Sequence, residues 1–135
     1  MKYLGIDYGG KRIGLAIGDD ETFIAAPFEI LETGDLSEAV EDLSLILKEE
    51  DVGAIVVGLP VSLKESGEGQ QARLTRRFGA ALERESKIKV IYEDERLTSK
   101  QAASLLKEAL PERKDAVAAM IILQSYFDKL RNPKS

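Results

Sequence analysis

A chain of 135 residues, 44% apolar and 32% charged, is long enough to bury one proper core and too short for two. It contains neither cysteine nor histidine, which excludes disulfides, thiolate metal sites, thiol nucleophiles and imidazole bases; its chemistry must run on carboxylates, hydroxyls, lysines or metal ions. The net charge of −5 hides an asymmetry, because residues 19–51 hold 12 acids against the single base Lys48, leaving 18 bases against 12 acids elsewhere. An acidic flank can therefore coexist with a basic face that meets phosphates. No apolar run approaches the roughly 18 residues of a membrane span, and the N-terminus lacks the layout of a signal peptide. The expectation is one soluble, cytoplasmic domain over residues 1–135 with no membrane partner.

Residues 2–7 and 12–19 read as strands flanking Tyr8-Gly9-Gly10-Lys11, the pattern of a β-hairpin. A third strand is expected from Phe23 to Leu31; Pro27 lacks a ladder donor and assigns it to a sheet edge or a bulge. From Asp35 to Glu50, Leu36, Val40, Leu43 and Leu47 recur at steps of three and four, which predicts an amphipathic helix. The continuous apolar run Ala54 to Leu59 predicts a central strand covered on both faces. A loop follows from Pro60 to about Gly69. Leu74, Phe78, Ala81 and Leu82 mark a second helix, and Lys89 to Tyr92 a short strand leading into Glu93, Asp94 and Glu95. Thr98 and Gln101 have capping-box spacing for a third helix that Pro111 ends. The last helix, Lys114 to Leu130, is apolar nearly all round and must be largely buried. This order predicts an α/β fold with one mixed five-stranded sheet, antiparallel through its first three strands and parallel in the fourth and fifth, flanked by helices.

Three acidic positions stand out. Asp7 lies where the first strand runs into a glycine turn, so it either emerges at a ligand-collecting sheet end or merely braces the hairpin. The run Glu93-Asp94-Glu95 crowds three carboxylates at a strand end, which calls for a nearby cation, with Arg96 one candidate, or for plain solvation. Strand alternation turns Glu93 and Glu95 one way and Asp94 the other. Asp115 falls in the first turn of the apolar helix, where exposure, the helix dipole or a bound cation must excuse its charge. Arg73, Arg76 and Arg77 lie off the apolar stripe of the second helix and either grip phosphates or form a solvated face. Lys11, Arg12, Lys64 and Lys100 are further phosphate candidates at turns and loops.

Taken together, GIDYGGKRIGLAIGD (5–19), IVVGLP (55–60), YEDERLTS (92–99) and KDAVAAMIILQSYFD (114–128) closely resemble the YqgF or RuvX-like family, whose members are described as pre-16S rRNA nucleases or Holliday junction resolvases. The resemblance spans almost the whole chain in order. It implies an RNase H-like fold and a nuclease dependent on Mg²⁺ or Mn²⁺, whose catalytic and metal-binding acids are Asp7, Asp94, Glu95 and Asp115. Hard carboxylate oxygens suit either ion. It further implies cleavage to 5′-phosphate and 3′-hydroxyl ends and a nucleic-acid partner, structured RNA or branched DNA, with ribosomal particles as the setting for 5′-end maturation of pre-16S rRNA. A resolvase would act as a homodimer making paired cuts, whereas rRNA processing can use a monomer. Two positions depart from the family pattern: Gly10 stands where threonine is usual, and the segment Leu110 to Lys114 is shorter and less basic. Two other classes compete. The N-terminal strand, aspartate and glycine hairpin also resemble the phosphate motif of the actin and sugar-kinase ATPases, although those enzymes close two such domains over nucleotide. A non-catalytic nucleic-acid-binding module is the other.

Overall fold

The computed structural model describes residues 1–60, 69–94 and 100–133. Five strands form one sheet: β1 (Lys2–Tyr8), β2 (Arg12–Asp19), β3 (Ile24–Glu32), β4 (Ala54–Leu59) and β5 (Val90–Asp94). Their spatial order is β3-β2-β1-β4-β5, antiparallel from β1 to β3 and parallel from β1 through β4 to β5. This is the mixed sheet that the order of elements predicts. β1 and β4 lie inside it, and β4 is buried along its whole length.

The hairpin closes through Gly9, whose N–H donates to the Arg12 carbonyl at 3.0 Å, while Gly10 takes φ +84°, the left-handed region that favours glycine. The turn role of this glycine pair is thus sufficient to explain it. β3 begins at Ile24 because Phe23 has φ +57° and belongs to the preceding turn. Pro27 satisfies both expectations at once. β3 is an edge strand, and its register with β2 slips between Leu15 and Ala16, leaving Phe28 as the extra residue next to the proline.

Pleat alternation sorts the strand residues onto two faces. Leu4, Ile6, Ile13, Leu15, Ile55 and Val57 face α1 (Leu36–Glu49) and α2 (Gln70–Ser86), and pack against Leu43, Leu47, Phe78 and Leu82. Asp35 caps α1 by accepting from the Glu38 N–H at 2.8 Å. Tyr3, Ala16, Ala54 and Val56 face α4 (Lys114–Arg131), against Ala119, Ile122, Leu123 and Phe127. No residue of α4 between Asp115 and Phe127 is exposed, in keeping with its all-round apolar sequence. α3 (Lys100–Glu108) buries nothing and leads through a 3-10 turn at Pro111–Arg113 into α4. The capping pair Thr98–Gln101 involves a position outside the described residues.

The α4 face carries glycine at the points where the helix comes closest. A Cβ on Gly5 would lie 2.7 Å from Leu123 Cβ, and one on Gly14 would overlap the Asp115 carbonyl oxygen. These glycines let the helix backbone settle directly on the sheet, so the motif Gly5 to Asp19 is in large part a seat for α4. Among the described residues no helix is long and apolar enough to cross a membrane.

Candidate active site

The C-terminal ends of β1, β4 and β5 share one edge of the sheet. Asp7, the penultimate residue of β1, pairs with Gly14 of β2. One step beyond the Ile6–Val57 pair, it stands level with Gly58, which pairs with Glu93 of β5. The row Gly14, Asp7, Gly58, Glu93 therefore points to the face that α4 covers. Asp115, in the first turn of α4, has its backbone over Gly14, the cross-strand partner of Asp7. The backbones of two acids 108 positions apart are thus brought to one corner, each beside Gly14, whose missing side chain makes room for the helix.

Asp115 is half-buried, and its charge is answered by a cation rather than by the helix end alone. Arg12 Nε donates to Asp115 Oδ2 at 2.7 Å. Arg12 opens β2 two residues before Gly14, so the same pleat parity that aims Asp7 at α4 also aims Arg12 there. Its candidacy as a phosphate ligand is joined by a role that the sequence does not reveal.

The acidic run at β5 divides by parity. Glu93 lies on the α4 face but is buried, accepting from Ser125 Oγ at 2.9 Å and from Lys129 Nζ at 2.6 Å. Ser125 is ten residues along α4 from Asp115, about 15 Å at the helical rise. The Glu93 carboxylate is thereby a strut joining β5 to the far half of α4, and Lys129 supplies the cation that the crowded carboxylates require. Glu93→Ala is expected to lower stability by about 1–3 kcal/mol, since it removes a charge-assisted pair of bonds but frees a lysine that already reaches solvent. Chemical denaturation measures it, and an unchanged midpoint would remove the strut.

Asp94 is exposed at the same sheet end, on the opposite side of the pleat from Asp7. Glu95 and Arg96 lie outside the described residues, as does Lys64. Among the described residues, no three carboxylates stand close enough together to hold one ion.

The basic candidates divide as well. Arg73, Arg76 and Arg77 are exposed on α2, on the sheet face opposite α4. The Arg76 guanidinium lies 5.1 Å from the centre of the Tyr92 ring, and the Tyr92 hydroxyl donates to the Arg76 carbonyl at 3.2 Å. Burial raises the Tyr92 hydroxyl above the ordinary phenol range despite that arginine. The first turn of α2 does reach the acidic end of the sheet, where Gln71 Nε2 approaches the Tyr8 carbonyl at 3.5 Å and Tyr8 stacks on Phe78 at 4.2 Å. Arg73 follows within that turn. Lys11 is exposed at the hairpin tip and Lys100 at the start of α3.

Residues 1–129 match the family model described as "RuvX: Holliday junction resolvase". A protein of Maridesulfovibrio salexigens named "Putative pre-16S rRNA nuclease" is 41% identical over 133 residues, covering 94% of this chain and 98% of that one. A Chloroflexus aggregans protein of the same name is 40% identical over 137 residues, covering 96% and 95%. Among solved structures, Thermus thermophilus RuvC in complex with a Holliday junction superposes with a TM-score of 0.65 at 16% identity, over 98% of this chain and 96% of that one. The fowlpox virus resolvase bound to junction DNA does so with a TM-score of 0.61 at 14% identity, over 96% and 99%. At such identities the superpositions establish the RNase H-like fold, and the sequence relatives establish kinship. Fold, motif order and matched length agree: this chain belongs to the RuvX family.

Proposed function

We propose that this chain, as one cytoplasmic domain over residues 1–135, is a divalent-metal-dependent endonuclease that hydrolyses phosphodiester bonds in structured RNA during maturation of the 5′ end of pre-16S rRNA. The observation that carries the proposal is that Asp7 pairs with Gly14 while the backbone of Asp115 sits over that same glycine, at the sheet end where β5 also terminates. The donor chemistry fits Mg²⁺ or Mn²⁺: every ligand on offer is a hard carboxylate oxygen, in a chain without imidazole or thiolate. Arg12 on Asp115 acts as a stand-in cation at that corner.

Asp7 and Asp115 would hold the metal, with the third carboxylate from Asp94 or Glu95. Bound there, divalent ions supply charge neutralisation at the phosphate and a nucleophile at neutral pH, which a protein lacking histidine needs. The residues of the chain hold and orient. Glu93 locks β5 to α4, so the acidic strand end and Asp115 keep their relative positions. Lys11 and Arg73 are the proposed phosphate contacts at this end, Lys64, Arg96 and Lys100 are further proposed contacts, and Arg76 and Arg77 extend the basic surface along α2.

The family name and the fold of the junction resolvases also favour a second substrate, branched DNA cut by a homodimer. The deciding experiment incubates purified protein and Mn²⁺ with precursor 16S rRNA and with a four-way DNA junction, with Asp115→Asn as control. Cleavage of the RNA alone at a discrete 5′ site is the expected result. Paired cuts in the junction alone would replace it with the resolvase function, and cleavage unaffected by Asp115→Asn would overturn the site.

A further inference from the structure

We propose that Arg12 couples metal binding to nucleic-acid binding, by occupying Asp115 when metal is absent and passing to a substrate phosphate when metal arrives; this rests on the metal site proposed above. The contact spans 103 residues and joins the first residue of β2 to the first turn of α4. The Arg12 and Asp115 side chains are 46% and 35% exposed, so the pair can open to an ion and to a phosphate without disturbing the core.

Electrostatics makes the present pairing and a metal ion competitors. A divalent ion on Asp7 and Asp115 would stand beside a guanidinium that already neutralises one of those carboxylates, and two cations drawn to one carboxylate repel each other. The conflict is relieved when Arg12 leaves Asp115. Its planar fork of N–H donors then matches a phosphate at the same corner. Glu32 of β3, the register partner of Arg12, is the competing acid on the protein itself, but it is exposed and its pull is weakened by solvent. Metal therefore releases the arginine, and phosphate keeps it released. By linkage the effect is reciprocal: nucleic acid must tighten metal binding as much as metal tightens nucleic-acid binding.

The predicted pattern separates this role from that of an ordinary phosphate contact. Mn²⁺ binding to nucleic-acid-free protein is followed by electron paramagnetic resonance, and binding of a fluorescent RNA hairpin by anisotropy, in EDTA and in Ca²⁺, for the wild type and Arg12→Gln. The variant is expected to bind Mn²⁺ about 5- to 10-fold more tightly than the wild type, within the usual range of coupling between sites. Its loss of hairpin affinity relative to the wild type should be about 5- to 10-fold greater in Ca²⁺ than in EDTA, where Arg12 is engaged with Asp115. Unchanged or weaker Mn²⁺ binding by Arg12→Gln would overturn the coupling, as would an equal loss of hairpin affinity with and without Ca²⁺. Asp115→Asn distinguishes the two levels of the argument. If it leaves wild-type Mn²⁺ binding intact, the metal site itself is wrong; if it abolishes binding while Arg12→Gln changes nothing, the coupling alone is wrong.

Discussion

Asp7→Asn is expected to slow cleavage of RNA by about 1000-fold while leaving the fold in place. The substitution keeps the shape of the side chain and the ladder between Asp7 and Gly14, and replaces the charged carboxylate near Asp115 by a neutral amide. If that charge helps hold the ions that neutralise the phosphate, its loss forfeits several kcal/mol of transition-state stabilisation, and each 1.36 kcal/mol is tenfold in rate. Single-turnover rates at saturating Mn²⁺, with thermal unfolding of the same samples, provide the measurement. A stable variant that cleaves within about tenfold of the wild type would show that Asp7 only braces the hairpin, the other role open to an aspartate before a glycine turn.

Gly14→Ala is expected to be the most disruptive single-methyl change at this end of the sheet, costing about 3 kcal/mol or more of stability together with activity. The added Cβ would overlap the carbonyl oxygen of Asp115, and neither neighbour is a flexible side chain tip. β2 is held on both sides by β1 and β3, so the strand cannot recede; α4 must lift its first turn. Overpacking in a well-packed interior costs about 1–3 kcal/mol, and more where backbone must move. Lifting α4 also carries Asp115 away from Asp7 and Arg12, so metal affinity should fall further than loss of folded protein explains. The check is a urea unfolding curve and a Mn²⁺ titration on the folded fraction. Wild-type stability would show that α4 does not sit on β2 as described. At the hairpin tip, where a Cβ on Gly10 meets nothing within 4 Å, the only penalty is the left-handed φ.

Much of this architecture is legible in the residues themselves, and the reasons are local. Alternation in β1 and β2, the unbroken apolar run of β4 and the three-four spacing in α1 each report which side of an element is buried, because burial acts on every residue in turn. Pro27 announces an edge or a bulge through its missing N–H, and the strand order and register bear out both. The end of β1 announces Asp7 as a site candidate through its glycine turn, though spacing alone leaves the turn-bracing role equally open.

What composition and spacing determined by themselves was the inventory: an α/β chain with a mixed sheet, a buried last helix, and chemistry left to carboxylates, hydroxyls, lysines or metal ions because histidine and cysteine are absent. Only the tertiary structure decided which acids share a corner and with what charge. Pleat parity separates Asp94 from Asp7, register sets Glu93 level with Asp7 yet spends its carboxylate on Ser125 and Lys129, and the gap at Gly14 lowers Asp115 to the side of Arg12. Such pairings form between residues 32 to 103 positions apart. No local periodicity encodes them, because they depend on how strands are aligned and how closely a helix can settle on a sheet.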